Sequence, residues 1–298
     1  MGMRPWICFA LGIVTATLRV QAQGLPPEPA GKLVREVIWN ELRDHREHGY
    51  WRYWVEKRSE DRTVVADQVE TSEGPVMRLL AIDGREPSMD ERRADDERLQ
   101  RLLSSPEEQA RSLRKCEEDE ERIGRILALL PDAFLFEYAG ADDGRLLLRF
   151  RPNPDYPARS IEARVFHAMS GEIRVDAQAK RLSELEGRVE ENVDFGFGIL
   201  GRLYKGGWFR LVRRQVSATD WKTAGLEVHM NIRSLLVKNF ARETSEERGG
   251  FEPVLTTTTL AEAAKLLNQN EQRDQAWSRS SDSADATHAA RAAFAFRP

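Results

Sequence analysis

The chain has 298 residues, 45 of them Lys or Arg against 49 Asp or Glu, for a net charge of −4. This mildly acidic balance argues against nucleic acid as the main partner and against a polybasic clamp on anionic lipid. Two cysteines, Cys8 and Cys116, set a further bound taken up below.

Arg4 precedes the uncharged run Trp6 to Leu18, and Val20-Gln21-Ala22 places small residues at a cleavage site. That pattern predicts a secretory signal peptide over residues 1–22, since the run falls short of the roughly 20 apolar residues a bilayer core requires. Removing it takes away Arg4 and Arg19 and leaves 43 basic against 49 acidic residues. Cys8 leaves as well, so Cys116 stands alone in an oxidising compartment, no intrachain disulfide forms, and the core must hold the fold. Its neighbours Glu117-Glu118-Asp119-Glu120 oppose thiolate formation, which marks Cys116 as structural. The expected location is outside the inner membrane, in the periplasm of a host with two membranes.

After Pro26 to Pro29, Leu33, Val34, Val37, Ile38 and Leu42 recur at helical spacing over Lys32 to His48, with Gly49 as a stop. Tyr50 to Val55 is aromatic and β-branched, and strands continue over Arg62 to Glu70 and Val76 to Ile82. Serial strands joined by short turns predict antiparallel pairing. From Ser88 to Leu130 strand formers almost vanish. Ser105 as cap and Pro106 at the first helical position divide this stretch into helices near 88–103 and 106–130. Leu113, Ile123, Ile126, Leu127 and Leu130 give the second a narrow apolar stripe, and its charges read as a solvated face.

Strand alternation returns with Phe134, Phe136 and Tyr138, then Leu146, Leu148 and Phe150. It continues through Ile161, Ala163 and Val165, Ile173 and Val175, and Leu226, Val228, Met230 and Ile232. About ten strands between Tyr50 and Phe251 exceed what a flat open sheet carries without curling. The fold class is therefore α+β, a strongly curved antiparallel sheet (an incomplete β-barrel) packed on helices. The expected organisation is one domain over 23–267 with a helical insertion near 88–130, ending in a helix near Leu260 to Leu267. A Ser-, Asp-, Gln- and Ala-rich tail over 268–298 is expected to be disordered.

Chemistry is sparse. His45-Arg46-Glu47-His48 spaces its histidines at i, i+3, unlike the zinc helix H-E-x-x-H, and has no third ligand nearby. His167 and His229 sit singly in strand patterns and read as cross-strand residues. Phe195 to Gly201 is glycine-rich but lacks the strand-glycine-helix context of a dinucleotide site. It reads as a tight apolar corner, with a mobile flap as the functional alternative. No nucleophile is named by spacing, so no catalytic residue, metal or cofactor is expected and the chain reads as non-enzymatic.

Aromatic strands are the positive signal. Trp51, Tyr53, Phe136, Leu148 and Val165 are the candidates for lining an apolar cavity, where each buried methylene of an acyl chain would contribute about 0.8 kcal/mol. The segments Ser170 to Asp176, Arg181 to Gly187 and Trp221…Leu226-Glu227-Val228-His229 resemble periplasmic lipoprotein carriers of the LolA/LolB-like superfamily. The resemblance runs over Tyr50 to Phe251 in order of elements. It implies an incomplete antiparallel barrel, helices plugging its open side and an apolar interior for lipid. The leading expectation is an exported carrier or sensor of a lipid or a lipoprotein acyl group. The alternative is an envelope protein-protein interaction scaffold that uses the charged helices and has no ligand cavity.

Overall fold

The computed structural model describes residues 28–47, 49–195, 201–234 and 237–269. The signal segment, most of the Phe195–Gly201 stretch and the tail beyond Gln269 lie outside these residues. So do the side chains of His45 and His48.

Five helices and twelve antiparallel strands follow one another: α1 (Ala30–Glu47), β1 (Tyr50–Ser59), β2 (Arg62–Val69), β3 (Val76–Ile82), α2 (Met89–Ser104), α3 (Pro106–Ala133), β4 (Phe134–Asp142), β5 (Arg145–Pro152), α4 (Ile161–His167), β6 (Met169–Asp176), β7 (Arg181–Val189), β8 (Val193–Phe195), β9 (Gly201–Leu203), β10 (Trp208–Gln215), β11 (Trp221–Ser234), β12 (Val237–Val254) and α5 (Leu260–Asn268). The strands form one sheet in the order β3-β2-β1-β12-β11-β10-β7-β6-β5-β4, with β8 and β9 attached beside β11. It is open and does not close into a barrel, as the sequence pattern predicts.

That strand order sets a geometric problem that α3 solves. The chain leaves the sheet at one edge, β3, and re-enters at the opposite edge, β4. Ten strands at about 4.8 Å spacing make an arc of roughly 43 Å. A 28-residue helix spans about 42 Å. α3 starts beside the β2–β3 turn, where Gly74 faces Ser112 and Leu113, and runs directly into β4. The insertion is thus a strut from edge to edge. α2 seals the β3 edge on the way: Asp95 accepts from the Leu79 amide at 3.1 Å, and Arg98 donates to the Met77 carbonyl at 2.5 Å. Pairing these backbone groups removes a template for edge-to-edge association.

The two faces of the sheet are filled differently. On the inner face, Leu33, Val34, Val37 and Ile38 of α1 and Leu130 of α3 pack on Leu148, Phe150, Ile173, Val175, Leu182 and Leu185. Phe134 meets Phe150 edge-to-face with centroids 4.8 Å apart, and its ring is tilted against Phe166 at 5.3 Å. Gly171 and Gly187 make room for this layer. A Cβ at Gly171 would lie 1.9 Å from the Glu186 carbonyl oxygen and 2.7 Å from the Phe150 ring, and one at Gly187 would lie 2.3 Å from Phe209. On the outer face, α2 and α5 bury Val69, Val76, Leu99, Leu260 and Leu267. Beyond them this face carries a charged row of directly opposed residues: Glu137, Arg149, Glu172, Glu186, Arg210 and Glu227.

One element departs from the sequence expectation. Ile161 to Val165 is not a strand but lies in α4, capped by the Ser160 hydroxyl, which accepts from the Ala163 amide at 3.1 Å. Burial falls on Ala163 and Phe166, at helical spacing, while Ile161 is exposed. A five-residue alternation fits both periods, and here the cap decides.

Candidate functional site

The five candidate cavity residues do not line one cavity. Trp51 and Tyr53 belong to a small cluster with Val55 and Ala66, packed against Met77, Val216 and Phe251. Leu148 lies in the large inner-face cluster, and Phe136 and Val165 pack against it. Leu148 is 0% exposed and Phe136 lies 6.3 Å from the Phe150 ring, so these side chains fill space instead of bounding it. Val165 comes from α4, not from a strand.

Of the five, only Tyr53 reaches the principal cleft of the inner face, an open groove of about 1160 Å³ between α1, α3 and strands β1, β2 and β12. Its existence follows from the α3 sequence. The last two turns carry Ile126, Leu127 and Leu130 and dock on the core, whereas Glu117 to Glu121 end in carboxylates and offer little apolar area to the sheet. The helix therefore stands off over β1 and β2. Trp39 and Leu42 of α1 form one wall, Leu113, Cys116 and Ile123 of α3 the other, and Thr71 to Pro75 of the β2–β3 turn close one end.

The floor is polar. Gln68 Nε2 donates to the Tyr53 hydroxyl at 2.6 Å, and the Arg248 guanidinium lies 5.5 Å from the Tyr53 ring centroid. Burial pushes the Tyr53 hydroxyl well above its ordinary value, with Arg248 opposing. Burial also works against the charge on Arg248, but Tyr53 and Glu246 outweigh it and the guanidinium stays firmly protonated. Glu246, raised by burial, is held below the usual carboxylate range by Arg248 and Lys57. Glu70 accepts from Lys222 at 2.8 Å and from the Trp51 amide at 3.2 Å. The floor cations are thus matched by carboxylates, and on α3 Asp119 and Glu121 pair with Arg122 and Arg125 of the same helix. Cys116 sits half-buried in the wall with its thiol raised by burial and by Glu120 and Asp119, consistent with an unreactive residue.

A second ionic cluster ties α1 to the sheet, with Glu41 and Arg181 buried and Asp44 and Arg213 half-buried at its rim. Arg181 donates to Glu41 at 2.9 Å and to Asp44 at 2.5 Å. Arg213 meets the same two carboxylates at 2.9 and 3.0 Å, and the Leu182 amide also donates to Glu41. Two cations on two anions, with Trp221 against Arg181, make a neutral structural clamp. His167, expected in a strand, is instead the last residue of α4 and is held by the Tyr156 carbonyl at 2.6 Å, whereas His229 is cross-strand and stacks on Trp208 directly opposite on β10. Among the described residues no group of three His, Cys, Asp or Glu side chains is placed to hold a metal ion. No described helix is long and apolar enough to cross a membrane.

Sequence reading did not single out Trp39, Gln68, Glu70 or Arg248. Trp39 alone carried a signal: it falls outside the α1 stripe of Leu33, Val34, Val37 and Ile38, which leaves a large aromatic on the solvent side.

No protein-family model matches the chain, and no curated protein matches it. A solved structure of MucB in complex with MucA(peri) aligns with 73% of this chain and 98% of that chain, at 9% identity and a TM-score of 0.20. A score that low carries no argument about fold or function.

Proposed function

We propose that the chain is a non-enzymatic protein-interaction module of the cell envelope, with the α3 strut and the cleft beneath it as its working surface. One observation carries this reading: α3 is anchored at both ends, yet its middle holds a charged face over an open, polar-floored cleft. A helix needed only to plug the sheet would bury an apolar stripe along its whole length. The export pattern at the N-terminus supports an envelope location.

The lipid-carrier reading required an apolar hollow. Its candidate lining is split between two packed clusters, and the open cleft presents carboxylates that would repel a fatty-acid headgroup. The interaction reading therefore replaces it.

Photo-crosslinking in host envelopes tests this. A crosslinker at Glu117, exposed on α3 and lining the cleft, is expected to trap one discrete protein, and a crosslinker at Arg149 on the outer face is expected not to trap it. Native mass spectrometry of protein purified from the same cells is expected to show no stoichiometric lipid. A bound acyl lipid, or identical crosslinks from both positions, would overturn the proposal.

A further inference from the structure

We propose that residues 292–297 of this same chain, Ala-Ala-Phe-Ala-Phe-Arg, dock as an added antiparallel strand on the open edge of the sheet at β4. The inference goes beyond the cleft under α3 and does not depend on it.

The two edges of the sheet are treated unequally. α2 pairs backbone groups of β3, whereas β4 is bonded along one side only, to β5. Asn153 donates its amide to the Ala133 carbonyl, so the alternation of an antiparallel ladder turns Leu135 and Glu137 toward Arg151 and Arg149 of β5. The amides and carbonyls of Phe136 and Tyr138 then face outward, and among the described residues nothing pairs with them. Their rings lie against the inner-face cluster and are only half-buried. Free backbone groups beside half-covered aromatic rings are what one further strand would satisfy.

The chain's own tail fits this edge. Phe294 and Phe296 alternate with Ala293, Ala295 and Arg297, the period of a strand with one apolar face. With Phe296 opposite Phe136 and Phe294 opposite Tyr138, the four rings share the inner face and the outward groups of both β4 residues are bonded. Ala295 then stands opposite Glu137, which already lies 3.9 Å from Arg151. Arg291 falls beside the β4–β5 turn, where Asp142 and Asp143 have no ion-pair partner among the described residues. A parallel run would carry Arg291 to the other end of β4, so charge selects the antiparallel direction. Pro298 would face Phe134, whose amide already donates to the Leu130 carbonyl; proline has no amide to add, and the ladder ends there.

Reach is sufficient. α5 packs beside Val69 and Val76 and ends at Asn268. The 24 residues from 269 to 292 extend to about 80 Å, against an arc of roughly 43 Å between the edges. A second copy fits the edge less well. Pairing β4 with β4 through Phe136 and Tyr138 sets Glu137 directly against its own symmetry mate, and like charges in that position are destabilising.

Amide hydrogen exchange of the full chain, read residue by residue by NMR, tests this. The Phe136 and Tyr138 amides are expected to exchange at least about tenfold more slowly in the unaltered chain than in Phe294→Ser/Phe296→Ser. Arg291→Glu is expected to speed their exchange about threefold. Trp277→Ser, elsewhere in the tail, is expected to leave it unchanged. The Leu135 and Glu137 amides, turned toward β5, should stay protected in every variant and so report that the sheet is intact.

Unprotected Phe136 and Tyr138 amides in the unaltered chain would overturn the inference, as would protection that survives the double variant or falls equally in Trp277→Ser. Protection lost on about fortyfold dilution would assign the added strand to a second copy and overturn the intrachain docking.

Discussion

The inner face of the sheet has two halves that the same helix treats in opposite ways. Over β4 to β7 the final turns of α3 join α1 in a dry layer where Leu148 and Val175 are fully buried. Over β1, β2 and β12 the middle of α3 leaves a groove floored by Tyr53, Gln68, Glu70 and Arg248. Strand pairing does not make this difference, because it is antiparallel in both halves and both carry register shifts, at Arg52/Trp54 in one and at Tyr138/Gly140 and Arg174/Val175 in the other. Side chains on α3 make it: Ile126, Leu127 and Leu130 have apolar area to bury, and Glu117 to Glu121 would pay desolvation for the same contact. Packing one stretch anchors the strut and leaves an open groove beneath the other.

The sharpest way to break the contrast is to attack the clamp that holds α1 on the packed half. Glu41→Ala would leave Arg181 and Arg213 buried with half their counter-charge. A loss of about 3–5 kcal/mol is expected in urea unfolding, the usual cost of stranding a buried charge. A loss under about 1 kcal/mol would show that water or movement of α1 relieves those guanidiniums.

Next comes the core itself. Leu148→Ala is expected to cost about 2–5 kcal/mol through lost transfer energy and a cavity, while Trp39→Ala, on the groove side of α1, should stay within about 0.5 kcal/mol. Comparable losses at the two positions would erase the distinction between a packed and an open half.

The smallest effect is electrostatic and separates cleft and surface carboxylates from core packing. Glu91 is held down at about 2 by Arg85 and the Ser88 amide. Glu184, though raised by burial, lies below the usual range because of Arg210 and Arg174, and Glu246 behaves similarly beside Arg248 and Lys57. Carboxylates depressed in the folded state stabilise it fully above their unfolded value near 4.3, and that contribution disappears as pH falls through the folded values. The melting temperature should therefore fall between about pH 4.5 and pH 2, with Glu91→Gln flattening the lower part of the curve. A melting temperature that rises or stays level over that window would contradict these assignments.

Much of the architecture was legible residue by residue. The α1 stripe, the Ser105-Pro106 break between α2 and α3, and the alternation of Phe134, Phe136 and Tyr138 appear where their periodicities place them. The exception, Ile161 to Val165, is short enough to satisfy both helix and strand periods. The site was far less legible. Trp51 and Tyr53 look alike in sequence to Phe136 and Leu148, yet they enter different clusters, because β1 and β5 are far apart in the strand order. Gln68, Glu70 and Arg248 are unremarkable polar residues until the pairing of β1 with both β2 and β12 sets them around Tyr53.

By itself the sequence determined the element types, the antiparallel class and the charged character of the 88–130 insertion, because each depends on local period, caps and composition. Only the tertiary structure decided that β3 and β4 are opposite edges of the sheet. That long-range pairing compels α3 to cross the inner face, and with it places an acidic helix above a groove instead of in open solvent. Which strands become neighbours is settled by the combined burial of side chains distant in the chain, and no local pattern encodes that sum.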